Sequence, residues 1–132
     1  MNPKEPYIIE FNRIGKPAIG YVSVAEKEAI PFTVKRIYWT YYTPEDVKRG
    51  GHAHLQLEQI LLAVSGKIIV KTELLSGHIE EFILDKPSRG LFLPKMCWRE
   101  MSYSHNSVQV CIASMEYSES DYVRNYEHFK KL

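Results

Sequence analysis

The sequence has little cysteine, no excess of either charge and no long apolar run, and each shortage removes a class of protein. Two cysteines, Cys97 and Cys111, are too few for the disulfide framework of a small secreted scaffold, so both are expected as reduced, buried thiols. With 17 Lys and Arg against 16 Asp and Glu the net charge is +1. No long basic run appears, so no nucleic-acid partner is expected. No apolar stretch approaches the roughly 20 residues that span a bilayer. The start, residues 1–6, leads into no leader-type apolar segment. A cytoplasmic protein with no membrane partner is the expectation. Gly-rich phosphate loops and the Gly-x-Ser-x-Gly elbow are also missing, which removes two large families of hydrolases.

What is present suits one folded domain over residues 1–132. The chain is 45% apolar and 12% aromatic, enough for a core and too much for disorder. Short strands are expected at 7–11 and 20–25, joined through Gly15-Lys16-Pro17, and a longer one at 34–42. A hairpin about Ser76-Gly77 joins 67–75 to 78–84, and further strands fall at 91–93, 97–103 and 108–114. Many short strands with close turns indicate a barrel or sandwich. Ser120-Asp121 reads as a helix cap, and Tyr122, Tyr126 and Phe129 recur at i, i+4 and i+7. A short C-terminal helix packing an aromatic stripe on the barrel is expected there.

The chain is organised around 50–66, which holds His52 and His54, then an apolar run from Ile60 to Val64, then Ser65-Gly66. Side chains two apart in a strand share a face. Both histidines can therefore enter one cavity while Ala53 points away. In the preceding strand Val34, Arg36 and Tyr38 share one face, and a buried Arg in such company seeks an anion.

The pattern from His52 to Gly66 resembles the first motif of the cupins, small β-barrels of the jelly-roll type. Cupin metal sites use three His and one Glu. Here Gln59 stands at the Glu position, and Arg99, five residues after Pro94, stands at the position of the third His. A guanidinium stays protonated and cannot ligate, and two His alone are an incomplete set. No metal is expected. Two imidazoles, a Tyr and an Arg suit proton movement beside a carbonyl, since His exchanges protons near neutral pH.

Longer stretches resemble one cupin group, the sugar 3,4-ketoisomerases that act on dTDP-4-keto-6-deoxyglucose. They are 30–38, 49–54, Leu57-Glu58-Gln59, Gly90-Leu91, 98–101, Ala113-Ser114 and 121–126. One departure is Ile19-Gly20, where the group often has Arg-Gly. The resemblance implies an all-β cupin jelly-roll barrel, catalytic His52, His54 and Tyr38, and substrate-binding Arg36 and Arg99; Arg49 is a further substrate-binding candidate, through bidentate pairing with a diphosphate. It also implies no cofactor and a homodimer with an exchanged N-terminal strand. The product would be a dTDP-3-keto-6-deoxyhexose for 3-amino sugars of surface glycans. The expected chemistry is C3 deprotonation by His54, an enediolate, and reprotonation at C4. Alternatives are a metal-dependent cupin enzyme and a non-catalytic sugar-binding cupin. The related 3,5-epimerases pair their His with a distant Asp, and no such Asp is apparent in this sequence.

Overall fold

A computed structural model describes residues 4–132. Residues 1–3, part of the start in which no leader is expected, lie outside the described residues. The chain forms β1 (Tyr7–Glu10), β2 (Asn12–Lys16), β3 (Gly20–Val24), β4 (Arg36–Tyr41), β5 (Arg49–His54) and β6 (Gln59–Ser65). These are followed by β7 (Ile68–Leu74), β8 (Ile79–Leu84), β9 (Arg89–Leu93), β10 (Cys97–Tyr103), β11 (Val108–Ala113), β12 (Tyr122–Val123) and α1 (Tyr126–Lys130).

Two five-stranded antiparallel sheets, ordered β1-β9-β6-β11-β4 and β12-β5-β10-β7-β8, face one another. This is the jelly-roll architecture expected from the sequence. The period of two explains the core. Leu61 and Ala63 of β6, Ile68 and Val70 of β7, Leu91 and Leu93 of β9, and Cys111 of β11 point between the sheets into one cluster. The intervening residues of the first sheet are not wasted on water. Ile60, Phe92 and Ile112 point outward and are covered by Phe11, Ile30 and Phe32. Strand β6 is thus buried on both faces along most of its length, which is why it reads as a continuous apolar run rather than an alternation.

The N-terminal segment differs from expectation. Gly15 lies inside β2, not at a turn, and β2 and β3 form a separate two-stranded hairpin. A Cβ on Gly15 would collide with the Gly20 carbonyl oxygen, so the close pairing of the two strands demands glycine there. Strand β4 is shorter than read, but its alternation is as read. Arg36, Tyr38 and Thr40 turn inward, while Ile37, Trp39 and Tyr41 are exposed.

The C-terminal helix is also shorter, and the reason is local chemistry. The Asp121 carboxylate accepts from the backbone N–H groups of Gln56 (2.7 Å) and Leu57 (3.2 Å). It is therefore unavailable as a helix cap, and Tyr122 and Val123 pair with His54 and Ala53 of β5 instead. Asn125 takes the capping role, its side chain accepting from the His128 N–H at 2.8 Å. The stripe of three aromatics is split. Phe129 is buried against Trp98, Ala53 and Val123 beneath α1, whereas Tyr122 turns toward the histidines.

Candidate active site

Gly50 and Gly51 set up the site. Both adopt positive φ, +83° and +69°. The pairing of β5 with β10 slips here, Arg99 facing His52 but Glu100 facing Gly50. A β-bulge of this kind re-aims the residues that follow it. A Cβ on Gly50 would sit 2.8 Å from the Arg99 carbonyl oxygen, so the close approach of the two strands requires glycine. Beyond the bulge, Ala53 points outward into the cluster under α1, and His52 and His54 point inward.

The two imidazoles lie 4.9 Å apart, edge to face. The Tyr122 ring touches both, at 4.9 Å from His52 and 4.3 Å from His54. His54 is 1% exposed and faces the buried Asp121, with Nδ1 and Oδ2 3.1 Å apart. A carboxylate only accepts, so Nδ1 carries the hydrogen and donates it. Nε2 is left as the basic nitrogen, and it is buried with no hydrogen-bond partner. Burial, then the Arg99 guanidinium, holds both imidazoles below the ordinary histidine range. Neutral rings, able to accept a proton, are the working form at pH 7.

A cavity of about 510 Å³ opens beside them, lined by residues that include Arg36, Tyr38, Arg49, His52, Tyr122 and Arg124. Four of the six residues expected at the site line it: Arg36, Tyr38, Arg49 and His52. Arg36 is the cation best poised for a ligand. Its Nε and Nη2 are buried without partners, while its guanidinium lies 5.0 Å from the Tyr38 ring. Arg124 stacks on Tyr122 at 4.0 Å and is already held by the Glu119 carboxylate at 2.7 and 3.0 Å. A larger cavity of about 650 Å³ lies between the β2–β3 hairpin and the first sheet, but no histidine lines it. It is remote from this chemistry.

His54 and Arg99 lie deeper than the lining residues. Arg99, 1% exposed, donates from Nε to the Cys97 carbonyl and from Nη1 to Gln59. At the positions where a metal-binding cupin would place ligands, this chain carries a guanidinium and an amide bonded to each other. Among the described residues no three His, Cys, Asp or Glu side chains converge as a metal site.

Sequence reasoning missed Asp121 and Tyr122. The Asp expected to be missing is present, 67 positions from His54 and bonded to it. Its signal in the sequence, an Asp directly before an aromatic and a Val, has the form of a helix cap.

The fold has known counterparts. Residues 4–132 match the family model described as FdtA: WxcM-like, C-terminal. The chain is 37% identical over 129 residues to TDP-4-oxo-6-deoxy-alpha-D-glucose-3,4-oxoisomerase of Aneurinibacillus thermoaerophilus, covering 96% of this chain and 91% of that protein. It superposes on a 3,4-ketoisomerase from Helicobacter canadensis with a TM-score of 0.90 at 34% identity, covering 98% of this chain and 97% of the other. A variant of a 3,4-ketoisomerase from Thermoanaerobacterium thermosaccharolyticum, in complex with TDP-4-keto-6-deoxyglucose, also gives 0.90. It is 29% identical, with 99% and 94% covered.

Proposed function

The chain belongs to the FdtA (WxcM-like, C-terminal) family of cupin-type sugar 3,4-ketoisomerases, and on that premise we propose that it moves the keto group of dTDP-4-keto-6-deoxyglucose from C4 to C3. The observation that carries the reading is the free Nε2 of His54, backed by Asp121, beside a cavity whose cations suit a diphosphate.

The C4 ketone acidifies the hydrogen on C3. His54 Nε2 removes it, and the electron pair flows through C3–C4 onto O4 to give an enediolate. Tyr38 and His52, which line the cavity, hold the oxygens; hydrogen bonds aimed at developing charge are the larger part of such catalysis. The hydrogen on O3 passes to O4, C4 takes up a proton, and C3 becomes the ketone. No net oxidation occurs. Arg36 and Arg49 bind the diphosphate, where a guanidinium's paired donors match phosphate oxygens. Asp121 touches no substrate; it fixes the tautomer and orientation of His54. Arg99, whose Nε and Nη1 are engaged by Cys97 and Gln59, acts through its charge and through Gln59.

Incubation with dTDP-4-keto-6-deoxyglucose in deuterated water, followed by NMR, tests the reading. The expected result is a 3-keto product with deuterium at C4. Unchanged substrate, or label at C5 with the ketone still at C4, overturns it.

The chain is further proposed to act as a cytoplasmic homodimer that exchanges its N-terminal strand, β1 lying beside the partner's β9 as it lies here beside its own. The two free thiols suit a reducing compartment. The β2–β3 hairpin exposes Ile14, Ile19, Tyr21 and Val22, and the outer face of β4 exposes Ile37, Trp39 and Tyr41. So much bare apolar surface marks an association site. Light scattering should give twice the chain mass of 15.4 kDa; a single-chain mass at micromolar concentration refutes the dimer.

A further inference from the structure

Arg99 is the largest fully buried side chain of the core, yet it does not line the cavity. A guanidinium has five N–H donors and accepts nothing. Its Nη1 donates to Gln59 Oε1 at 2.5 Å. That contact decides how the Gln59 amide is turned, because only the oxygen can face a donor. Nε2 therefore faces the other way, where it donates to the Tyr38 hydroxyl oxygen at 2.8 Å. A phenol oxygen that accepts from this amide cannot also donate to it. The Tyr38 hydrogen is thus turned away from Gln59. The hydroxyl also shares a hydrogen bond with Cys111, whose thiol burial pushes up to about 12; a neutral thiol is a weak acceptor that a substrate oxygen can displace. Burial also pushes Tyr38 upward, so its proton stays in place at working pH.

We propose that Gln59, 2% exposed, is a positioning residue that passes the donor-only character of Arg99 on to Tyr38, so that Tyr38 meets the substrate as a hydrogen-bond donor to the enediolate oxygen. The chain of donors runs Arg99 to Gln59 to Tyr38 to sugar oxygen, each link polarising the next. It gives Arg99 a part in stabilising the anion without contact. The idea deepens the ketoisomerase reading and rests on it for its kinetic test.

Two variants separate this role from packing. Gln59→Glu keeps the shape but accepts from both sides, so the Tyr38 hydrogen turns inward to the carboxylate and is lost to the sugar. Gln59→Leu leaves Tyr38 without a partner there, free to donate to substrate. The expected order of damage to kcat is Gln59→Glu, about a hundredfold, greater than Gln59→Leu, with KM little changed. Tyr38→Phe should fall about as far as Gln59→Glu, and combining the two should cost nothing more. A packing role predicts the reverse order, the near-isosteric Glu being milder than Leu, and that order overturns the proposal. A neutron structure of the unmodified protein tests it without any variant or substrate. Deuterium on Tyr38 pointing into the cavity supports the relay, and deuterium pointing at Gln59 or at the Cys111 thiol ends it. If the unmodified protein fails to move the ketone, the function reading fails while the neutron result still judges the relay.

Discussion

Replacing His54 with Asn should lower kcat on dTDP-4-keto-6-deoxyglucose by about a thousandfold, in the middle of the range for a lost general base, while dTDP still binds. Asn retains an N–H for Asp121 and so preserves the buried contact that the ring makes at 3.1 Å. What it removes is Nε2, the basic nitrogen left without a partner. The matching His52→Asn variant should lose only about ten- to a hundredfold, because it forfeits an oxyanion contact and leaves the base intact. Equal or greater damage from His52→Asn would transfer the role of base to His52. Near-normal turnover in His54→Asn would remove the base from both accounts.

The same assignment has a pH signature. Burial and the Arg99 charge lower the His54 value from its ordinary 6.5. A base with a depressed value stays in its working form below pH 6.5, so kcat/KM should remain level as pH falls from 8 through 6. A group lowered on folding binds its proton more readily in the unfolded chain. Stability is therefore complete above 6.5 and drains away as pH falls from 6.5 toward the folded value. Circular dichroism at each pH keeps loss of fold apart from loss of base. An acid limb centred at 6.5 or above, with the fold intact, contradicts the assignment.

The parts of the molecule that follow local rules were legible in the sequence. Two histidines at i and i+2 had to share a face, and they do. The apolar run 60–64 reads as buried, and Ile60, Leu61 and Ala63 are, with Val64 exposed at its end; Arg36 and Tyr38 share one face of β4 as their spacing requires. Depth and long-range partnership were not legible. Nothing local to Arg99 says that its Nε and Nη1 are taken by Cys97 and Gln59. Asp121 and Tyr122 sit in a segment whose caps and aromatic spacing favour a helix. Tertiary contacts overrule that preference, because two backbone N–H groups of the turn after β5 need an acceptor and Asp121 supplies it. A one-dimensional pattern holds no record of which distant turn will be short of an acceptor.

Asp121 is where the second large effect is expected. In Asp121→Asn, one oxygen remains to accept from the Gln56 N–H, but an NH₂ replaces the oxygen that faces Leu57 N–H and His54. A donor there can pair with His54 only if Nδ1 gives up its hydrogen, which moves the proton to Nε2 and blocks the base. The expected loss in kcat is at least about a thousandfold; a wrong imidazole tautomer in hydrolytic triads costs about ten-thousandfold. KM should change little, since Asp121 meets no substrate. The donor set against Leu57 N–H should also cost about 1–3 kcal/mol of stability. Nitrogen-15 NMR of the imidazole separates positioning from mere support of the fold. The native ring should show hydrogen on Nδ1, and the variant should show it on Nε2. A variant that keeps the native tautomer and still loses a thousandfold would make Asp121 a support for the β5 turn, and one that keeps its activity would give His54 no need of a carboxylate behind it.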